Sequence, residues 1–325
     1  MIVTLTPHPS TDRTVPLAGE LRRGAVQRTT APGWSVAGGK GVNISRACVS
    51  ADVPTLAVLP AEADDPFLAD LAEAGIAAHP VPGSGPVRVN LTLTEPGGTT
   101  TKLNSSASPA TPALLADLTA ALQAAAADAD WVVLAGSLPP GAPDGWYAEL
   151  LAALPAGTRV AVDTSEAPLA AVVDALDGGT APHLMKPNGE ELASFLGGDP
   201  DALESDPDAA ATAARTLVDR GVEAVLATLG GHGAVLVTAD GAWHATPPPT
   251  EVVSTVGAGD SSLFGYLLGD RRGLDPADRL ALAVAYGSAA AALPGTTIPH
   301  PAQVRPDLVV VRELDQHDRT TAAPV

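Results

Sequence analysis

The feature that most limits how this chain can fold lies downstream of Pro112, where short apolar runs alternate with helical patterns. Pro112 to Ala127 predicts a helix, with proline in its first turn and strong helix formers behind it. Trp131 to Ala135 (WVVLA) is a continuous apolar run too short for a helix of its own, as expected of a strand buried on both faces. The series continues with a helix at Asp144–Leu154, a strand at Arg159–Val162, a helix at Pro168–Leu176 and a strand at His183–Lys186. Helices at Gly189–Leu196 and Ala209–Arg220 and a strand at Ala224–Thr228 complete it. Parallel strands need crossover connections, and helices supply them, so the pattern predicts an α/β fold with a mostly parallel sheet covered on both faces.

Two stretches break the rhythm. Val87–Thr94 (VRVNLTLT) alternates with period two, turns at Pro96-Gly97-Gly98 and can return through Thr99–Leu103, which predicts a hairpin. Val26–Val36 carries no helical stripe and also reads as extended. Segments near 12–36 and 86–105 are therefore expected to form a small sheet projecting from one α/β domain spanning 1–312. Gly233–His244 predicts a second hairpin around Asp240-Gly241, and Pro247-Pro248-Pro249 a stiff extended connection. Residues 313–325 read as a frayed polar tail.

The net charge of −19 argues against nucleic acid or an anionic membrane as partner. With no run of about 20 apolar residues and no basic segment ahead of an apolar one at the N-terminus, the chain is expected to be soluble and cytoplasmic. Cys48 is the sole cysteine, which excludes an intrachain disulfide, and the seven histidines show no zinc-site spacing. Of 18 basic residues only Lys40, Lys102 and Lys186 are lysines, and each lies in or beside a stretch that stands out on other grounds. The first 46 residues are locally basic, which fits a phosphorylated ligand.

Four constellations carry chemistry. In VAGGKGVNISRA (36–47), Gly38, Gly39 and Gly41 permit close backbone approach, Lys40 can pair with phosphate, and Asn43 lies in the first turn of the helix that follows; a tight turn before a core helix gives the same pattern. In LMKPNGEEL (184–192), Asn188 and Glu191 can hold the water shell of a magnesium ion at a strand's C-terminal edge, or form a plain capping box. ATLGGHG (227–233) can receive a nucleotide or simply turn into the hairpin. In STVGAGDSS (254–262), a helix starting near Ala258 would aim its free N–H groups at an anion. Such amides suit a phosphoryl group in transfer. Asp260 would stay ionised at that helix N-terminus and serve as a base.

Together these stretches resemble the carbohydrate kinases of the ribokinase type, the PfkB family, over nearly the whole chain to about Gln303. AGGKGVNISRA is similar to the family's N-terminal glycine signature and VVSTVGAGDSSLFGYL to its C-terminal one. TLTPHPSTDRTV, VRVNLTLTEPGG, LAGSLPPG and VVSTVGAGD resemble most the 1-phosphofructokinase branch, with tagatose-6-phosphate kinases next. The resemblance implies a ribokinase-like fold with a small β-sheet lid, ATP and Mg2+ as cofactors, and dimerisation through the lid. It implies Asp260 as base, with Gly257, Ala258 and Gly259 as anion hole. Asn188 and Glu191 would organise Mg2+ through water, and Lys186 with Thr228, Gly230, Gly231 and Gly233 would serve ATP. Asp12, Gly39 and Asn43 would hold sugar hydroxyls. Lys40, Arg88, Ser137 and Lys102 would lie near the sugar phosphate.

Two departures fall on the acceptor side. His8 stands where the family's N-P-x-x-D pattern has Asn, and KLNSSA lacks the glycine expected near Ala107. The implied reaction is ATP-dependent phosphorylation of a ketohexose phosphate, foremost fructose 1-phosphate to the 1,6-bisphosphate. Tagatose 6-phosphate or fructose 6-phosphate as acceptor, and a sugar-phosphate-binding regulator with weak turnover, are the alternatives. A nucleotide-dependent dehydrogenase would need GxGxxG after the first strand, where TLTPHPS has none.

Overall fold

A computed structural model describes residues 1–83, 85–197 and 199–314. Its large sheet has the order β14-β13-β12-β11-β10-β9-β8-β1-β4-β5. The strands are β1 (Ile2–Leu5), β4 (Thr55–Pro60), β5 (Ala78–Val81), β8 (Trp131–Ala135), β9 (Val160–Asp163), β10 (Leu184–Met185), β11 (Ala224–Thr228), β12 (Ala234–Thr238), β13 (Ala242–Thr246) and β14 (Val310–Glu313). From β5 to β11 every pairing is parallel, and β12 to β14 add an antiparallel edge.

Period-two alternation divides the strands between two cores. Val3, Leu5, Val132, Leu134, Val162 and Val225 face one side. Helices α3 (Pro112–Ala126), α4 (Trp146–Ala153), α5 (Glu166–Ala175), α6 (Gly189–Leu196) and α8 (Pro207–Asp219) cover it. Ile2, Trp131, Val133, Ala161, Leu184 and Leu226 face the other side, under α1 (Lys40–Ser50), α9 (Ala258–Arg271) and α10 (Pro276–Ala291). Because the parallel strands are buried on both faces, their sequences read as unbroken apolar runs and not as alternation.

A second sheet has the order β3-β2-β6-β7, from Trp34–Gly38, Ser10–Pro16, Arg88–Thr94 and Thr100–Asn104. Of the stretch 26–36 expected to be extended, only its end is strand; most of the rest is turn and irregular loop. At the C-terminus, Glu313 pairs with Trp243 in β14 and Leu314 is buried, so the tail expected from 313 does not begin there. Residues 315–325 lie outside the described residues. The short helices α2 (Pro66–Glu73) and α7 (Pro200–Ser205) had no sequence expectation. Among the described residues no helix is long and apolar enough to cross a membrane.

Two features hold α9 in place. Glycine at 265 lets α10 approach closely: a Cβ there would lie 2.7 Å from Leu282 O and 2.8 Å from Ala283 Cα. At the helix's far end Asp270 accepts a 2.8 Å hydrogen bond from Trp131 Nε1, pairs with Arg279 at 2.8 Å and also pairs with Arg159. The guanidinium of Arg159 in turn lies 4.2 Å from the centre of the Trp131 ring. The C-terminal end of α9 is thus tied to the start of β8, which fixes where its N-terminal end emerges. Gly265→Val should destabilise the fold by about 1–3 kcal/mol, the usual effect of overpacking, read as a lower denaturation midpoint with an unchanged slope.

Candidate active site

The parallel strands end on one edge, and the chain moves away from β1 in both directions, toward β4 and β5 and toward β8 through β11. Ligands of open α/β sheets bind outside the carboxyl ends of the strands at such a reversal. A cleft of about 990 Å³ lies there. It is lined by residues at or just beyond the ends of β1 (Thr6, His8), β8 (Gly136, Ser137), β10 (Lys186, Asn188) and β11 (Thr228, Gly230, Gly231), together with the 255–260 turn. Apart from Lys102, every residue that the resemblance gives a role in catalysis or in binding sugar, nucleotide or metal lines this cleft. Lys102 is exposed on β7, paired with Thr92, and is not among the cleft's lining.

Gly257 caps α9 with φ 81°, a left-handed conformation in which glycine is at ease. The turn places Asp260 in the first helical turn, where its carboxylate is buried and accepts a 2.8 Å hydrogen bond from Asn43 Nδ2. Asn43 therefore faces the candidate base in this structure. Burial, and next the charge of Asp163, push the Asp260 carboxyl above the ordinary carboxylate range, against the pull of Lys40, Asn43 and Lys186. At this helix end desolvation, which disfavours the charged carboxylate, opposes the dipole that favours it.

Asp163 closes β9 and is fully buried. Its Oδ1 lies 2.7 Å from Lys40 Nζ and 3.3 Å from Lys186 Nζ, while Oδ2 has no protein partner. Burial would raise its pKa, but the two ammonium groups outweigh it and hold Asp163 below its usual range. Lys40 is held above its own: burial would lower it, and the carboxylates of Asp163, Asp260 and Glu191 reverse the sign. Lys186, expected at the nucleotide, is 5% exposed and lies directly under the turn, since a Cβ on Gly259 would be 3.3 Å from its Nζ. The sequence reading missed Asp163; its signal was an acid terminating the apolar run VAVD.

Asn188 and Glu191 form a reciprocal capping box: Glu191 N donates to Asn188 Oδ1 at 2.7 Å and Asn188 N to Glu191 Oε2 at 2.9 Å. Burial foremost raises the Glu191 pKa. In the 227–233 loop, Leu229 N donates to Gly233 O and Gly233 N to Gly230 O, so it does turn into the hairpin, with Gly230 and Gly231 still facing the cleft. The glycines at 38, 39 and 41 serve the protein's own packing. A Cβ on Gly39, at φ 118°, would lie 2.6 Å from Thr6 Cγ2, and one on Gly38 or Gly41 would strike Asp12 or Thr6.

At the other end, Asp12 Oδ1 accepts from Ser10 Oγ at 2.9 Å and Asn90 Nδ2 at 3.1 Å. Ser10 and Asn90 were also missed, although Asn90 shares a strand face with Arg88 by period-two spacing. Arg88 is half-buried, its guanidinium 3.4 Å from Pro9 O and 3.5 Å from His8 O. His8 Nδ1 lies 3.2 Å from Ser137 Oγ.

The pfkB family carbohydrate kinase pattern matches residues 17–303. The chain belongs to that family. Its fold is ribokinase-like, and it is a phosphotransferase with an alcohol group as acceptor. It is 37% identical to a 1-phosphofructokinase of Rhodobacter capsulatus, over 92% of this chain and 93% of that one. It is 35% identical to a 1-phosphofructokinase of Haloferax volcanii, over 92% and 93%. Phosphofructokinase-2 from Escherichia coli, in complex with substrates and products, superposes with a TM-score of 0.83 at 28% identity, covering 94% of this chain and 97% of that one. For a pfkB kinase the Asp163 pairing has a direct consequence. Asp163→Asn would remove the carboxylate that both ammonium groups share, and stability should fall by about 3–5 kcal/mol. Because the Asp163 pKa is depressed, the wild-type contribution is present above the unfolded value near 4 and lost as pH falls through the folded one. Denaturant midpoints of the two proteins should converge in strong acid.

Proposed function

We propose that the chain phosphorylates D-fructose 1-phosphate on its free primary hydroxyl, using ATP and Mg2+. The observation that carries this is the meeting of Asp260 with the Gly257–Gly259 turn at the switch point of the sheet, beside Lys40. The turn's N–H groups would stabilise charge on the phosphoryl group, and Asp260 would take the proton from the attacking hydroxyl. Asp12, Asn43 and Gly39 would orient the sugar, and Lys40 and Arg88, with Ser137 beside them, would receive its phosphate. Thr228, Gly230 and Gly231 would lie along the nucleotide. The matches to curated 1-phosphofructokinases support fructose 1-phosphate over other ketohexose phosphates.

Among the described residues no three His, Cys, Asp or Glu side chains gather as a metal cage. Magnesium keeps several waters and binds through few carboxylates plus substrate phosphates. Glu191, with one oxygen committed to the capping box, and Asn188 would reach it through water. When bound, the ion would neutralise charge on the phosphates. We read the protein as cytoplasmic.

The small sheet would act as a lid and as the contact with a second copy. Strand register puts Val15, Val89, Leu91, Leu93 and Leu103 on the face opposite Asp12 and Asn90, with Val89 41% and Leu103 55% exposed. A tetrameric form of phosphofructokinase-2 from E. coli supports self-association as such.

Asp260→Asn should lower turnover by several powers of ten with ATP binding largely intact; near-normal turnover would remove Asp260 from the mechanism. ADP release measured across fructose 1-phosphate, tagatose 6-phosphate and fructose 6-phosphate should give the highest kcat/KM for the first, and a preference for another would displace this acceptor. Sedimentation of the wild type should report a dimer that Leu103→Glu converts to monomer, and a wild-type monomer would refute the lid contact.

A further inference from the structure

His8 stands at the acceptor end of the cleft, and its surroundings assign it a task. Its Nδ1 is engaged by Ser137 Oγ at 3.2 Å, whereas Nε2 is buried without a partner. Burial, reinforced by the positive charge of Arg88, pushes the imidazole pKa down to about 4, so the ring is neutral at physiological pH. A neutral imidazole carries one N–H. When the Ser137 hydroxyl donates to Nδ1, that hydrogen sits on Nε2. Arg88 approaches the same residue from the small sheet, its guanidinium at the His8 carbonyl, and both residues line the cleft. A buried donor left without a partner costs about 1–3 kcal/mol, so an anionic oxygen beside the Arg88 charge is the complement the site lacks.

We propose that His8 is a specificity-determining residue for the acceptor: oriented by Ser137, it donates a hydrogen bond from Nε2 to the phosphate that the sugar already carries. Arg88 supplies the charge and His8 the direction. The histidine thus adds a neutral donor where an Asn amide would reach only as far as Nδ1. The proposal rests on the sugar-phosphate reading above, and the test separates the two.

Kinetics and 15N NMR of the wild type, His8→Gln and His8→Phe provide that test. A Gln amide reaches the position of Nε2; Phe keeps the ring and removes the donor. His8→Phe should raise the KM for the sugar phosphate about 10- to 100-fold, as expected for a hydrogen bond to a charged group, with kcat and the KM for ATP little changed. His8→Gln should stay within about threefold of wild type. Equal losses in the two variants, or none in His8→Phe, would overturn the proposal. In the wild type, which needs no variant to fold, the 15N shifts should report a protonated Nε2 and a bare Nδ1, and should move when inorganic phosphate or fructose 1-phosphate is added. A protonated Nδ1, or shifts indifferent to phosphate, would also overturn it. A wild type that responds to phosphate at His8 yet releases no ADP with fructose 1-phosphate would sink the acceptor reading and leave the role of His8 standing.

Discussion

The active-site edge of this protein depends on one buried carboxylate. Asp163 holds Lys40, at the start of α1, and Lys186, just past β10, on the same oxygen. A buried charge without partners is expensive, and two ammonium groups crowded together repel. Each group here is tolerable only because the others are present. The arrangement joins the two sides of the sheet's reversal point and keeps positive charge beneath the turn that opens α9. It also bears on Asp260, whose carboxyl feels Asp163 as a like charge and the lysines as opposite ones.

Around that centre the fold supplies rigidity by close backbone approach. Gly265 lets α10 lie against α9, and the Asp270 cluster ties the far end of α9 to β8. About ten residues of helix, roughly 15 Å, then separate this anchor from Asp260. The glycines of the N-terminal signature do comparable work, since their missing side chains leave room for Thr6 and Asp12. Gly38 and Gly41 therefore act indirectly, by setting where Lys40 and Asn43 emerge, while Gly39 also lines the cleft.

Much of this was legible in the chain. WVVLA and AVLAT became β8 and β11 with the expected bounds, and Gly189–Leu196 became α6, because buried parallel strands and capped helices carry strong local signals. The region before Pro112 was less legible. In Val26–Val36 the absence of a helical stripe was compatible with strand and loop alike, and mostly loop resulted. Lys102 looked equivalent to the other lysines, but its place on the edge strand β7 keeps it away from the cleft.

Local chemistry determined that a glycine turn would open a helix with an acid in its first turn, that Asn188 and Glu191 would cap α6, and that the strands would run parallel. These follow from periodicity and from hydrogen bonds spanning a few residues. The tertiary structure decided the charges. Lys40 meets Asp163 across 123 positions, Asn43 meets Asp260 across 217, and His8 meets Ser137 across 129. Protonation and ion pairing vary with distance and burial among such remote segments, which is why an Asp260 raised by desolvation and a His8 held neutral could be read only from the folded chain.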